Sequence, residues 1–200
     1  MRLLIATNNR GKVREYRDIL GDLPLELVFP ADIGIDMEVA EVGGTYLENA
    51  ALKARAFAQA GGLLTLADDS GLEVDALGGE PGLHSHRYAQ GGDADRYRVL
   101  LERLRGVPPE KRTARFRCVI VIATPQGETF SCEGICPGII IDQPRGEGGF
   151  GYDPVFYLPE QGQTMAELSP ADKNHLSHRG RAGLCARPLL MNLLSKEVRE

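Results

Sequence analysis

The sequence predicts an α/β protein built on a mixed β-sheet with helices on both faces. Three observations lead there. Helical and strand-like segments alternate through the first hundred residues, the order expected of a sheet covered by helices. A β-branched run at residues 116–124 turns at Pro125-Gln126-Gly127 and returns from Thr129, so an antiparallel hairpin sits mid-chain and the sheet is mixed. No repeat, low-complexity tract or linker divides the 200 residues, so one domain spanning 1–200 is expected.

The elements follow in order. Residues 2–7 form an apolar strand, 11–20 an amphipathic helix, and 25–29 a second strand. Thr45-Tyr46-Leu47-Glu48 has the form of a capping box. It opens a helix whose apolar positions Leu47, Ala50, Ala51, Ala54, Phe57 and Ala58 keep the 3.6-residue period, and Gly61-Gly62 ends it. Residues 63–67 predict a short strand that ends at Asp68-Asp69-Ser70-Gly71. A helix is predicted over 95–104, with Tyr97, Leu100, Leu101 and Leu104 on one face. After the hairpin, 146–151 is glycine-rich and 154–158 is strand-like. Ser169-Pro170 signals a helix start, and 180–198 predicts a helix interrupted near Pro188.

Composition narrows the function classes. A net charge of −5 argues against a nucleic-acid polymer as partner, since such binders carry a basic stripe. No apolar run approaches the roughly 20 residues of a membrane span, and no signal sequence is visible, so a cytoplasmic protein away from membranes is expected. The cysteines at 118, 132, 136 and 185 match no zinc or redox spacing and read as buried, reduced thiols. Of 23 basic residues only five are Lys, and three of these, Lys12, Lys53 and Lys173, fall in the segments singled out next.

Thr7-Asn8-Asn9-Arg10-Gly11-Lys12 joins a strand to a helix. Backbone amides at a helix start plus the Lys12 charge suit an anion, although the segment lacks P-loop spacing and is also compatible with a plain Asn-capped turn. Asp68-Asp69-Ser70-Gly71 places adjacent carboxylates after a buried strand. Magnesium is the usual reason for such charge density, because it binds one or two carboxylates plus phosphate oxygens and water; an acidic turn is the other reading. Glu38 and Glu41 are both available as a second carboxylate. Gly146-Glu147-Gly148-Gly149-Phe150-Gly151 matches G-x-G-x-x-G in spacing only. Tyr152-Asp153-Pro154 follows and leads into a strand, where a dinucleotide fingerprint needs a helix. That leaves Phe150 and Tyr152 available to stack on a base, with Asp153 beside them. Ser-His-Arg occurs twice, at 85–87 and 177–179, and spacing alone does not choose between the copies.

Together, Thr7-Asn-Asn-Arg-Gly-Lys12, Thr45-Tyr-Leu-Glu-Asn-Ala50 with Lys53, Asp68-Asp-Ser-Gly71, Phe150-Gly-Tyr-Asp-Pro154 and Ser177-His-Arg-Gly-Arg-Ala182 resemble the inosine/xanthosine triphosphate pyrophosphatase family, nearly end to end. The resemblance implies an elongated mixed β-sheet flanked by helices, in two lobes with an active cleft between them, in a homodimer. It implies Mg²⁺-dependent hydrolysis of deaminated purine nucleoside triphosphates (dITP, ITP, XTP) to the monophosphate and pyrophosphate. By the same resemblance Thr7, Asn8, Asn9, Arg10, Gly11, Lys12, Lys53 and Ser70 contact the triphosphate. Asp69 is the catalytic carboxylate and metal ligand, with Glu41 assisting and Lys53 in the catalytic set. Phe150, Gly151, Tyr152, Asp153, Lys173, His178 and Arg179 hold the nucleoside, which selects the second Ser-His-Arg. The alternatives are a related pyrophosphatase for modified pyrimidine triphosphates, or a nucleotide-binding module without catalysis.

Overall fold

The computed structural model describes residues 1–197. Its strands β1 (Arg2–Ile5), β2 (Glu26–Val28), β3 (Leu64–Val74), β4 (Thr113–Ala123), β5 (Thr129–Ile140), β6 (Phe156–Leu158) and β7 (Gln163–Thr164) lie in the order β2-β1-β3-β4-β5-β6-β7. β1 pairs in parallel with β2 and β3, whereas β5–β6 and β6–β7 are antiparallel, so the sheet is mixed. The helices are α1 (Arg10–Leu20), α2 (Tyr46–Gly61), α3 (Asp93–Arg103), α4 (Pro170–Leu176) and α5 (His178–Glu197).

The chain divides into two compact units. The first comprises Met1–Asp69, Cys118–Gly134 and the segment from Arg179 on; the second comprises Ser70–Arg117 and Ile135–His178. In the first unit the strand alternation sorts side chains into two cores. Leu3, Ile5, Ile120 and Ile122 pack with Tyr16, Ile19 and Leu20 of α1 and Ala182, Ala186 and Leu190 of α5. Leu4, Ala6, Val121 and Ala123 face Ala50, Ala54, Phe57 and Ala58 of α2. Gly183 lets α5 approach α1: a Cβ there would come within 2.4 Å of Ile19 Cγ2. In the second unit Leu72, Val74, Phe116 and Phe156 pack with Leu100 and Leu104. Truncating one of these buried side chains to Ala costs about 2–5 kcal/mol.

Local signals account for most boundaries. Thr45 Oγ1 accepts from Glu48 N–H at 3.1 Å while Glu48 Oε2 accepts from Thr45 N–H at 3.1 Å, the reciprocal capping read from the sequence. Gly62, at φ 61°, ends α2 in the left-handed region. Ser169 Oγ caps α4 by accepting from Asp172 N–H at 3.1 Å.

Three expectations change. β3 does not stop at Ala67 but runs through Asp68-Asp69-Ser70-Gly71 to Val74, so the acidic motif is mid-strand and not a turn. Pro188 does not interrupt the last helix; it lies inside a continuous α5. Pro188 and Leu184 four residues before it are both exposed, so the carbonyl left without a donor can bond to water. Val198, where that helix was expected to end, lies outside the described residues. Cys118, Cys132 and Cys136 are buried as expected, but Cys185 is exposed.

Candidate active site

In the first unit the site grows from the end of β1, the start of α1, the middle of α2 and β3. Asn9 caps α1: its Oδ1 accepts from Gly11 N–H at 2.8 Å and Lys12 N–H at 3.2 Å. Thr7 Oγ1 accepts from Asn9 N–H at 3.2 Å. Several amides expected to await an anion are therefore used within the turn, and the half-buried positive group of this segment is the Lys12 ammonium. Asn8 and Arg10 are exposed, and Gly11 is buried under the turn.

Successive strand residues point to opposite sides, so β3 separates its two carboxylates. Asp68 Oδ2 receives Lys12 Nζ at 2.8 Å and Arg179 Nη2 at 3.1 Å. Arg179 Nη1 also donates to Glu15 Oε2 at 2.6 Å. Burial alone would push the Asp68 carboxyl up, but Lys12, Arg179 and Lys53 outweigh it and hold it well below the ordinary carboxylate range. Burial lowers the Lys12 pKa, with Asp68 opposing and the neighbouring cations adding to the fall.

Asp69 faces α2. Its Oδ2 accepts from Asn49 Nδ2 at 3.0 Å, and its Oδ1 is 4.0 Å from Lys53 Nζ. Asn49 is itself fixed, because its Oδ1 accepts from Gly43 N–H at 2.8 Å. Lys53 Nζ donates to Glu41 Oε1 at 2.8 Å and to the Asp68 carbonyl at 2.6 Å. Glu38, by contrast, is exposed. Burial raises the Asp69 carboxyl above its ordinary range; Lys53 and the Asn49 bond oppose this and Glu41 reinforces it. Burial also weighs against the charged Lys53, yet Asp68, Asp69 and Glu41 together raise its pKa.

Among the described residues no group of three or more His, Cys, Asp or Glu forms a ready metal cage. Asp69 and Glu41, both bracketing Lys53, supply two oxygen donors. Two carboxylates suit a hard cation that keeps water ligands and shares substrate phosphates.

The second unit holds the other expected group. Asp153 Oδ2 accepts from Lys173 Nζ at 2.6 Å and from Phe150 N–H at 2.8 Å. Lys173 Nζ lies 4.7 Å from the centroid of the Phe150 ring, a cation–π contact that holds the ring over a fixed charge. His178 is buried and stacks on Phe116, centroids 4.7 Å apart and 13° from parallel. Gly151 takes φ 66°, a conformation glycine adopts without strain. Ser70, half-buried, opens this unit.

Two further residues of the expected nucleoside set have partners within the chain. Tyr152 is only 3% exposed and its hydroxyl donates to the Ser85 carbonyl at 2.8 Å, so it braces the loop where stacking was expected. Arg179 is 2% exposed, and its guanidinium bonds to Asp68 and Glu15 in the first unit. Glu15 and Phe116 were not singled out by sequence, and Asn49 only as a member of the Thr45–Ala50 motif, with no role of its own. The available signals were Asn49 four residues before Lys53, on the same face of α2, and Glu15 three residues after Lys12 on α1. The first Ser-His-Arg copy is also placed: Ser85 is buried, while His86 and Arg87 are exposed.

A model of the Ham1 family matches residues 3–186. A protein of Geobacillus kaustophilus named dITP/XTP pyrophosphatase is 52% identical over 182 residues, 90% of this chain and 89% of that one. Its namesake in Thermus thermophilus is 51% identical over 183 residues, 91% of this chain and 88% of that one. Among solved structures, a HAM1 protein from Coxiella burnetii has a TM-score of 0.87 at 38% identity, covering 96% of this chain and 99% of that one. A dITP/XTP pyrophosphatase from Mycobacterium abscessus has a TM-score of 0.74 at 41% identity, covering 93% and 98%. The chain belongs to the Ham1 family.

Proposed function

We propose that this chain hydrolyses deaminated purine nucleoside triphosphates (dITP, ITP and XTP) to the monophosphate and pyrophosphate, with Mg²⁺ as cofactor. The observation that carries the reading is Asp69: a buried carboxylate oriented by Asn49, beside Lys53 and Glu41, in a chain of the Ham1 family. Its relatives' name, dITP/XTP pyrophosphatase, supports the substrate class.

Lys12 and Lys53 meet the triphosphate charge, with phosphate oxygens competing against Asp68 and Glu41 for the two ammonium groups. Water attacks the α-phosphorus, a P–O bond forms, and the bond from that phosphorus to the bridging oxygen breaks as pyrophosphate leaves. Asn49 fixes Asp69 Oδ2, and Oδ1 takes the proton of the attacking water. A carboxyl whose pKa burial has raised is the better base for that task. Asp69 and Glu41 would hold Mg²⁺, which when bound neutralises phosphate charge and lowers the pKa of water.

Phe150 offers a ring face to the purine. Lys173, His178 and Asp153 supply polar groups for its edge. Hypoxanthine and xanthine carry an acceptor at O6 where adenine carries a donor, so donors at that edge disfavour ATP; mismatches of this kind reach roughly 10⁴–10⁵-fold. In this reading both units belong to one domain, 1–200, working in the cytoplasm as a homodimer on a free nucleotide. No helix among the described residues is long and apolar enough to cross a membrane. Rates on ITP, XTP, GTP and ATP compared under Mg²⁺ test the proposal. ITP and XTP are expected to be turned over far faster than ATP, and comparable ATP turnover would overturn this edge readout; guanine shares the O6 acceptor, so the GTP rate reports whether the pocket also reads the 2-position.

A further inference from the structure

Two of the bonds that fix the loop carrying Phe150 come from the segment 85–93. Tyr152 Oη donates to the Ser85 carbonyl at 2.8 Å, and Gly151 N–H donates to Asp93 Oδ2 at 2.7 Å. Asp93 opens α3, 58 residues before Gly151. Its other oxygen, Oδ1, is paired with Arg96 one turn along the same helix, and Arg96 Nη2 reaches the Gly91 carbonyl at 3.3 Å. The start of α3 is capped independently, because Asp95 Oδ2 accepts from Gly92 N–H at 2.9 Å. Asp93 is therefore not needed to begin its own helix, and its carboxylate is spent on the loop and on Arg96.

We infer that Asp93 is a positioning residue for the purine base: by holding Gly151 N–H it sets the direction in which the Phe150 ring faces. The inference rests on the function proposed above, which gives Phe150 the base. Gly151 is the hinge on which this matters. Its φ of 66° is a conformation glycine can leave at little cost, so an acceptor is needed to keep it there. Asp153 and Lys173 hold Phe150 through its amide and its ring. Asp93 adds a restraint from α3 on the next residue, Gly151. A residue with this role changes how well the base is held and leaves the phosphates and the attacking water alone.

The test compares Asp93→Ala and Asp93→Asn with the wild-type chain, using ITP turnover and inhibition by inorganic tripolyphosphate, which carries no base. Asp93→Ala is expected to raise KM for ITP about tenfold, the order of one lost charge-assisted hydrogen bond, with kcat little changed. Tripolyphosphate inhibition stays at its wild-type value. Asp93→Asn, which keeps an acceptor oxygen toward Gly151, recovers most of the KM. An unchanged KM in Asp93→Ala would overturn the inference. So would an equal loss of tripolyphosphate binding, or an Asn variant no better than Ala, since either describes general damage. If the wild-type chain does not turn over ITP at all, the proposed function fails; wild-type turnover with an indifferent Asp93→Ala fails this inference alone.

Discussion

Asp68 and Asp69 are adjacent in β3, yet their carboxylates have different partners: Asp68 is bonded to Lys12 and Arg179, and Asp69 to Asn49 with Lys53 at 4.0 Å. Their pKa values move in opposite directions, Asp68 down and Asp69 up. One pair of identical residues is thus divided into an anchor that its neighbouring cations hold ionised and a more basic carboxylate. Pairs of titratable groups pushed apart by their surroundings are where acid–base roles are found.

Asp69→Asn keeps the shape and removes the base of the proposed reaction. Turnover of ITP is expected to fall by roughly 10²–10⁴-fold, while substrate affinity changes far less. Steady-state kcat, together with the Kd of a non-hydrolysable analogue, separates the two effects. A variant retaining most of its rate would remove Asp69 from the mechanism.

Arg179→Met leaves Asp68 and Glu15 buried without their shared cation. Breaking a buried pair in this way costs about 3–5 kcal/mol, and thermal unfolding should drop by on the order of 10 °C. Arg179→Lys should recover little, because one ammonium cannot reproduce the forked bonds to two carboxylates. A melting temperature within a degree or two of wild type in the Met variant would contradict the anchoring role.

The stability of the metal-free chain should respond to acid through Asp68. Its folded pKa lies below the unfolded value of 3.8, so its contribution is present above that value and drains away as pH falls through the lower folded one. Asp69 has the opposite sign: its folded pKa is raised, so it favours the folded chain below 3.8 and loses that contribution as pH rises through the folded value. Urea unfolding in EDTA should show Asp68→Asn less stable than wild type near neutrality, with a shallower loss below roughly pH 4. A parallel pH profile for the two proteins would contradict the assignment.

Much of this is legible in the amino-acid sequence. The capping box at Thr45 and Glu48, the Asn9 and Ser169 caps and the Gly62 stop are local signals, and each marks a real boundary. β3 was read too short because Asp, Ser and Gly favour turns in isolation; here Lys12, Arg179, Asn49 and Lys53, from other elements, satisfy the two carboxylates mid-strand. Arg179 and Glu15 are 164 positions apart, so no local pattern could announce that they bond. Asp93 and Gly151, 58 apart, were invisible for the same reason.

Pro188 offers a separate check on the fold. If α5 runs unbroken through it, Pro188→Ala restores a helical hydrogen bond on an exposed face and stabilises the protein by about 1–3 kcal/mol. Chemical denaturation measures this directly. A destabilised variant would indicate that the helix does break there.

The central claim is attack of water on the α-phosphorus with pyrophosphate as the leaving group. Hydrolysis of ITP in ¹⁸O-labelled water, with products separated and weighed by mass spectrometry, tests it most directly. The account predicts one labelled oxygen in the monophosphate and none in pyrophosphate. Label in pyrophosphate, or release of orthophosphate in its place, would contradict it.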